Sequence, residues 1–231
     1  MEKPEIVYED EKKIIVFKPA GVLTQSGKSF DTDLVSQVLT YRRSKGEDTY
    51  AAVINRLDRP VSGLVLLAKT RQEAARLSAL LQKDSLSKMY YAVLCGKPEE
   101  NEGTFVDYLR KDGKNNVSSV VAKETPGAKR AELQYEVLEE IKLEDTMKLT
   151  LVRIHLITGR HHQIRVQFSS RNMPLLGDSK YGGEKGRRAL EILQNSGKRM
   201  LGRYETALCA YSLTVDGNCY EINCPWKLSK E

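Results

Sequence analysis

Uninterrupted apolar runs in this chain are short, as in the six residues Gly63-Leu-Val-Leu-Leu-Ala68. A membrane-spanning helix needs about 20, so the run reads instead as a buried strand, and the core must be assembled from many short elements. Strand signals dominate the first and last thirds. Glu5–Asp10 and Lys13–Lys18 predict a hairpin followed by a turn at Pro19-Ala20-Gly21. Further strands are predicted at Val61–Lys69, Met89–Leu94, Thr104–Leu109, Val117–Ala122, Ala131–Leu138 and Met147–Leu156. The last of these alternates Leu149, Leu151, Arg153 and His155 with Val152, Ile154 and Leu156, as one strand of an antiparallel sheet does. A closing hairpin joins Ala207–Val215 to Cys219–Ile222 through Asp216-Gly217-Asn218.

Helices are predicted over Asp33–Lys45 with Gly46 as a stop, over His161–Arg171, and over Arg187–Gln194. A further one is capped by Thr70 and runs to about Leu81, with Glu73 in capping-box position. No internal repeat or low-complexity linker appears, so the expectation is one α+β domain over residues 1–231, built on a long, mainly antiparallel mixed sheet flanked by helices and loops. With 40% hydrophobic and 29% charged residues, neither disorder nor a membrane protein fits. The acidic N-terminus lacks the apolar core of a secretory signal, which predicts a soluble, cytoplasmic protein. Cys95, Cys209, Cys219 and Cys224 show no C-x-x-C spacing and read as reduced thiols. His155, His161 and His162 lack a second ligand pair at finger-like spacing, so no metal is expected.

The overall charge of +6 is unevenly placed. Between Thr158 and Arg203 ten Lys/Arg stand against Asp178, Glu184 and Glu191, a net +7 that leaves −1 for the rest. Such a concentration suits a polyanion, nucleic acid before membrane lipid, although solvated helix ends give the same signature.

Three segments carry residue types suited to chemistry. In Asn55–Lys69, Asp58 falls in a loop before the buried strand, between Arg56 and Arg59. A carboxylate beside guanidinium groups stays ionised, which suits a nucleophile or general base and not a general acid. The same position also fits a turn aspartate that accepts main-chain hydrogen bonds. In Leu156–Arg165, Thr158-Gly159 ends a strand and Arg160, His161 and Gln163 enter a helix start, where main-chain N–H groups favour anions. Leu176–Gly183 is a glycine-flanked loop that carries Lys180 and Tyr181.

Taken in order along the chain, these segments resemble the RluA family of RNA pseudouridine synthases. Arg56-Leu57-Asp58 with Ser62-Gly63 and Ala68-Lys69 is similar to that family's catalytic motif. Lys18-Pro19-Ala-Gly21, Lys88-Met-Tyr90-Tyr-Ala92-Val-Leu-Cys-Gly96, Gly159–Arg165, Gly177–Gly182 and Leu208-Cys209-Ala210 resemble its other motifs, so the likeness runs from residue 18 to residue 225. It implies an isomerase that converts uridine in structured rRNA or tRNA to pseudouridine, with no cofactor and no metal. The expected partner is RNA, with no membrane or protein partner, and the expected state is a monomer.

By the same resemblance Asp58 would start breakage of the N1–C1′ bond, by attack at C1′, addition at C6 or proton removal at C2′. Tyr90 would stack on the target base with its hydroxyl near C5. Arg165 would pair with Asp58, and Ile164 would form part of the apolar wall beneath the base. Arg56 would fill the gap left by the flipped uridine. Arg160, Gln163, Lys180 and Tyr181 complete the expected substrate contacts.

Asn55, Arg59-Pro60-Val61 and Arg160-His-His-Gln163 depart from commoner family residues, which bears on target choice and leaves Asp58, Tyr90 and Arg165 in place. The Lys18-Pro19 motif comes too early to follow an N-terminal S4 domain, so target choice would fall to the catalytic domain. A non-catalytic RNA-binding protein of the same fold is the alternative, and a metal-dependent nuclease using Asp58 and the histidines is a third.

Overall fold

The computed structural model describes residues 3–26, 33–83, 85–144 and 147–228. The chain begins with strands β1 (Glu5–Glu9) and β2 (Lys13–Lys18), helix α1 (Leu34–Ser44), strands β3 (Ala52–Val53) and β4 (Ser62–Ala68), and helix α2 (Arg71–Gln82). Five strands follow, β5 (Ser87–Cys95), β6 (Glu102–Asp112), β7 (Val117–Val121), β8 (Lys129–Glu144) and β9 (Met147–Leu156). Helices α3 (Gln163–Ser169) and α4 (Gly183–Asn195) and strands β10 (Leu208–Val215) and β11 (Asn218–Glu221) complete it. The class is α+β, and each strand register given below is antiparallel. The described residues pack as two compact units, Met1–Ser87 with Ala210–Asn223, and Lys88–Cys209 with Cys224–Glu231.

In the first unit β1, β2, β4 and β10 lie side by side in that order, with β3 against β4 and β11 against β10. β2 and β4 pair from Lys13 opposite Ala68 to Lys18 opposite Gly63. Every residue of β4 is buried, which is why its sequence shows no polar alternation. The Thr70 hydroxyl caps α2 by accepting from the Glu73 N–H at 3.2 Å. Both oxygens of the Glu73 carboxylate are engaged by Arg76, so the expected capping box forms by its threonine half. Ala74, Leu77, Leu80 and Leu81 turn one face of α2 onto a core of Ile15, Ile54, Leu64, Leu66, Leu213 and Val215.

Gly63, the second residue of β4, stands at φ +127°, and a Cβ there would lie 2.5 Å from the Ala210 nitrogen and 2.7 Å from its Cα. The Ser62-Gly63 pair therefore reflects two backbones in close approach. Gly63→Ala is expected to cost roughly 2–4 kcal/mol, combining a left-handed φ with a main-chain clash, read as a lowered urea midpoint. A midpoint within error of the parent would contradict that packing.

In the second unit the order is β5, β9, β8, β6, β7. β5 pairs β9 with Tyr90 opposite Ile154, and β8 pairs β9 with bulges between Val137 and Glu139 and between Lys142 and Glu144. β8 runs 16 residues, twice the predicted Ala131–Leu138, because pairing with β9 carries through the charged stretch beyond the first bulge. The predicted His161–Arg171 helix shortens to α3. His162 stands at φ +54° and Ser170 caps the end. α3 is buried from Gln163 to Phe168, and Phe168 meets Phe105 at 5.2 Å and Tyr135 at 5.9 Å between ring centroids. α4 starts at Gly183, four residues before its predicted start. Among the described residues no helix is long and apolar enough to cross a membrane, and all four cysteines are free.

Candidate active site

Asp58 belongs to the first unit, on a loop whose main chain is fixed on both sides. Asn55 substitutes for strand pairing. Its amide donates to the Leu64 carbonyl at 3.1 Å and accepts from the Leu66 N–H at 2.8 Å, so the chain running on from β3 parts from the edge of β4 at a defined point. The Thr24 hydroxyl then donates to the Leu57 carbonyl at 2.8 Å and accepts its N–H at 3.2 Å. The Val61 N–H closes a tight turn on the Asp58 carbonyl at 3.0 Å. Gly21 and Arg59 are joined twice, Gly21 N–H to the Arg59 carbonyl at 2.7 Å and Arg59 Nε to the Gly21 carbonyl at 2.9 Å. Asp58 itself is half-buried and Arg56 is exposed.

Lys18 lies beneath this loop with no exposed surface. Its ammonium donates to the carbonyls of Pro19 at 3.0 Å, Val22 at 2.8 Å and Arg59 at 3.3 Å, matching its three donors to three main-chain acceptors. Burial pulls its pKa from 10.5 down to about 8. The Asp58 charge acts against that fall, and the Arg59 charge adds to it. Sequence analysis placed Lys18 in a motif without a role. Its burial at the end of β2 is a tertiary property, and the Lys-Pro-x-Gly string was the signal for it.

Between pH 8 and 10.5 the folded chain holds fewer protons at Lys18 than the unfolded chain, so this group adds stability as pH rises through that window. Relative to Lys18→Met, the parent is expected to gain up to roughly 3 kcal/mol of unfolding free energy from pH 7 to pH 10.5, measured by urea titration. A difference that does not change with pH would contradict the lowered pKa.

Tyr90, Ile164 and Arg165 belong to the second unit. Tyr90 is buried on β5 and Ile164 on α3. The family resemblance implies that Arg165 pairs with Asp58. The carboxylate that grips Arg165 within its own unit is Asp178, Nε to Oδ2 at 2.7 Å and Nη2 to Oδ1 at 2.8 Å, with the two side chains 2% and 0% exposed. Asp178 Oδ1 also accepts the N–H groups of Lys180 at 2.9 Å and Tyr181 at 3.0 Å. Burial pushes the Asp178 pKa up, but the Arg165 guanidinium and these two N–H groups outweigh it and hold the carboxyl below its usual value. Asp178 was not singled out from sequence; its signal is the Gly177–Gly182 motif itself.

Other predicted contacts knit the same region. Gln163 Oε1 accepts from the Thr158 hydroxyl at 2.8 Å and the Arg160 N–H at 2.9 Å, while its amide nitrogen donates to the Glu132 carbonyl at 3.0 Å. At 3% exposure this side chain shapes the Thr158–Gln163 turn. Arg160 is exposed, with Nε on the Arg130 carbonyl, and the Lys180 ammonium reaches the Asn116 carbonyl at 2.8 Å. The Tyr181 hydroxyl accepts the Ser118 N–H at 2.8 Å and meets His162 Nδ1 at 2.7 Å, and the Arg165 guanidinium lies 5.2 Å from its ring centroid. Among the described residues no group of three His, Cys, Asp or Glu side chains could hold a metal ion.

Comparison with known proteins defines the class. Residues 12–170 match the RNA pseudouridylate synthase family, and the chain belongs to that family. It is 33% identical over 180 residues to an uncharacterized RNA pseudouridine synthase of Bacillus subtilis, covering 78% of this chain and 58% of that protein. To ribosomal large subunit pseudouridine synthase C of Rickettsia bellii it is 33% identical over 180 residues, covering 78% of this chain and 57% of that protein. It is also 31% identical over 184 residues to tRNA pseudouridine synthase C of Yersinia pestis, covering 77% and 70%. The chain thus spans little more than half the length of the first two relatives. The structure of human RNA Pseudouridylate Synthase Domain Containing 4 shares the fold, with a TM-score of 0.77 at 21% identity over 96% of this chain and 88% of that one.

Proposed function

We propose that this chain is an RNA uridine isomerase of the cytoplasm, acting as a monomer on a ribosomal or transfer RNA, with residues 1–231 forming one catalytic domain. The observation that carries the reading is Asp58. It lies within the family match, in the string that resembles the family's catalytic motif, on a loop anchored at Leu57 and Arg59, with its charge set against buried Lys18. Family names among the relatives supply the RNA class. The reaction breaks N1–C1′, turns the uracil and forms C5–C1′, and the hydrogen on C5 leaves as a proton. Nothing is oxidised or reduced, and the chemistry calls for a carboxylate, a base-stacking ring and cations rather than a cofactor.

Asp58 is the carboxylate that starts the cleavage, Tyr90 stacks on the base and handles the C5 proton, and Ile164 walls the base. Arg165, oriented by Asp178, holds the anionic partner in the reacting site. Arg56, exposed beside Asp58, fills the gap in the RNA stack once the uridine is flipped. Arg160, Lys180 and Tyr181 bear on the RNA backbone around the target, and Gln163 supports them by shaping the turn. Pseudouridine mapping of total rRNA and tRNA, with and without the gene, tests this reading. Loss of one or a few sites is expected, and an unchanged map together with no activity of the purified chain on the same RNAs would overturn it.

A further inference from the structure

The ten cations between Thr158 and Arg203 are not equivalent. Arg165 is bound by Asp178 and Arg171 by Asp107. Arg160, Lys180 and Lys185 each reach a main-chain carbonyl, and Arg188 pairs with Glu144. Among the described residues, the side chains of Arg187, Lys198 and Arg199 have no hydrogen-bond or ion-pair partner, and the Arg203 guanidinium meets only a tyrosine ring. Three of these four, Lys198, Arg199 and Arg203, rim one groove of about 500 Å³ at the C-terminal end of α4, floored by Leu190, Leu193 and Leu201.

The local chain is built to present them. α4 ends when the Lys198 N–H bonds back to the Leu193 carbonyl at 2.9 Å with Gly197 at φ +72°, a Schellman-type stop that turns the chain away from the helix axis. A second turn follows, with the Gly202 N–H on the Glu205 carboxylate at 2.8 Å. This turn holds Tyr204 at φ +69°, a region a bulky residue seldom enters. Tyr204 is 66% exposed, the most exposed large hydrophobic side chain among the described residues, and the Arg203 guanidinium lies 5.0 Å from its ring centroid. The loop is seated on Gly177, where a Cβ would meet Leu201 Cδ1 at 2.5 Å, one residue before the Asp178 that grips Arg165.

We propose that this groove and the Tyr204 ring beside it, joined through Arg203, form an RNA-binding subsite, in which Tyr204 stacks on an unpaired base while Lys198, Arg199 and Arg203 take the flanking phosphates. An exposed aromatic among uncommitted cations is what a single strand of nucleic acid offers partners for, one π-face and one charge per nucleotide. An acidic protein would use the cations and gain little from a ring held out in solvent. The inference rests on an RNA substrate for the chain. It adds a second contact region, carried by residues outside the family match, which ends at residue 170.

The test is the affinity of the full chain for a fluorescein-labelled oligouridylate of about twelve nucleotides, by anisotropy across a potassium chloride series. Tyr204→Ala is expected to weaken binding about tenfold, with Tyr204→Phe within about twofold of the parent, since stacking needs the ring and not the hydroxyl. Replacing Lys198, Arg199 and Arg203 together by glutamine is expected to lower the log–log salt slope by about two. Arg188→Gln, whose side chain is paired with Glu144, should leave both readouts unchanged. Tyr204→Ala and the triple variant both behaving as the parent would overturn the subsite while leaving the proposed isomerase standing. A parent chain that binds RNA through this groove but forms no pseudouridine would overturn the isomerase and keep the subsite.

Discussion

Asp58→Asn is expected to lower pseudouridine formation by about 10³-fold while leaving the fold and RNA affinity nearly intact. The amide keeps the shape of the carboxylate but is neither a nucleophile nor a base at neutral pH. The loop is insensitive to the change because its anchors are main-chain groups, Leu57 on Thr24 and Arg59 on Gly21 and Lys18. A second consequence follows from the charge. Asp58 is the group that holds the Lys18 pKa up, so its neutralisation should move the Lys18 titration further below its parent position. Single-turnover rates on the mapped RNA and urea titrations against pH read the two effects separately. Residual turnover above a few per cent would remove Asp58 from its assigned role.

Asp178→Ala has the largest expected effect on stability. It leaves a guanidinium that is 2% exposed without its two-point carboxylate, and frees the N–H groups of Lys180 and Tyr181. Removing one partner of a buried ion pair costs about 3–5 kcal/mol, which for a chain of this size lowers the melting midpoint by roughly 10 °C. The pH dependence has a definite sign. The Asp178 pKa is depressed in the fold, so its contribution is fully present above the unfolded carboxyl pKa, about 3.9, and is lost as pH falls through the folded value. The parent should therefore approach the variant in stability below about pH 4. A variant within about 1 kcal/mol of the parent at neutral pH would contradict the pairing.

Elements with an unambiguous period were legible from sequence. β9 spans the predicted Met147–Leu156 because its two apolar series alternate without interruption, and Thr70 marked the start of α2 because a hydroxyl cap is a local device. β3 is two residues long and carries no period at all. The second half of β8 reads as a charged loop, since Glu139, Glu140, Lys142 and Glu144 mask the pairing with β9. α3 is shorter than its predicted span because His162 takes a left-handed backbone and Ser170 caps the end, and neither is visible in the side-chain pattern.

At the site, residue types were legible and partners were not. A lysine with no exposed surface and a fully enclosed Arg165–Asp178 pair depend on which elements meet, and apart from the family-like strings that hold them nothing local distinguishes them from solvated charges. The basic segment shows the same limit. Its net +7 was visible, but only the fold separates Arg165, Arg171 and Arg188, already bound to carboxylates, from Lys198, Arg199 and Arg203, which line one groove.

If this chain turns uridine in RNA into its C5-linked isomer through Asp58, the hydrogen at C5 reports it directly. Forming C5–C1′ expels that hydrogen to water, so rRNA and tRNA carrying tritium at uracil C5 should release it when incubated with the purified chain. Release should match pseudouridine mole for mole, survive chelator, and vanish with Asp58→Asn. RNA that is bound yet keeps all its tritium, or release that persists in Asp58→Asn, would contradict the account.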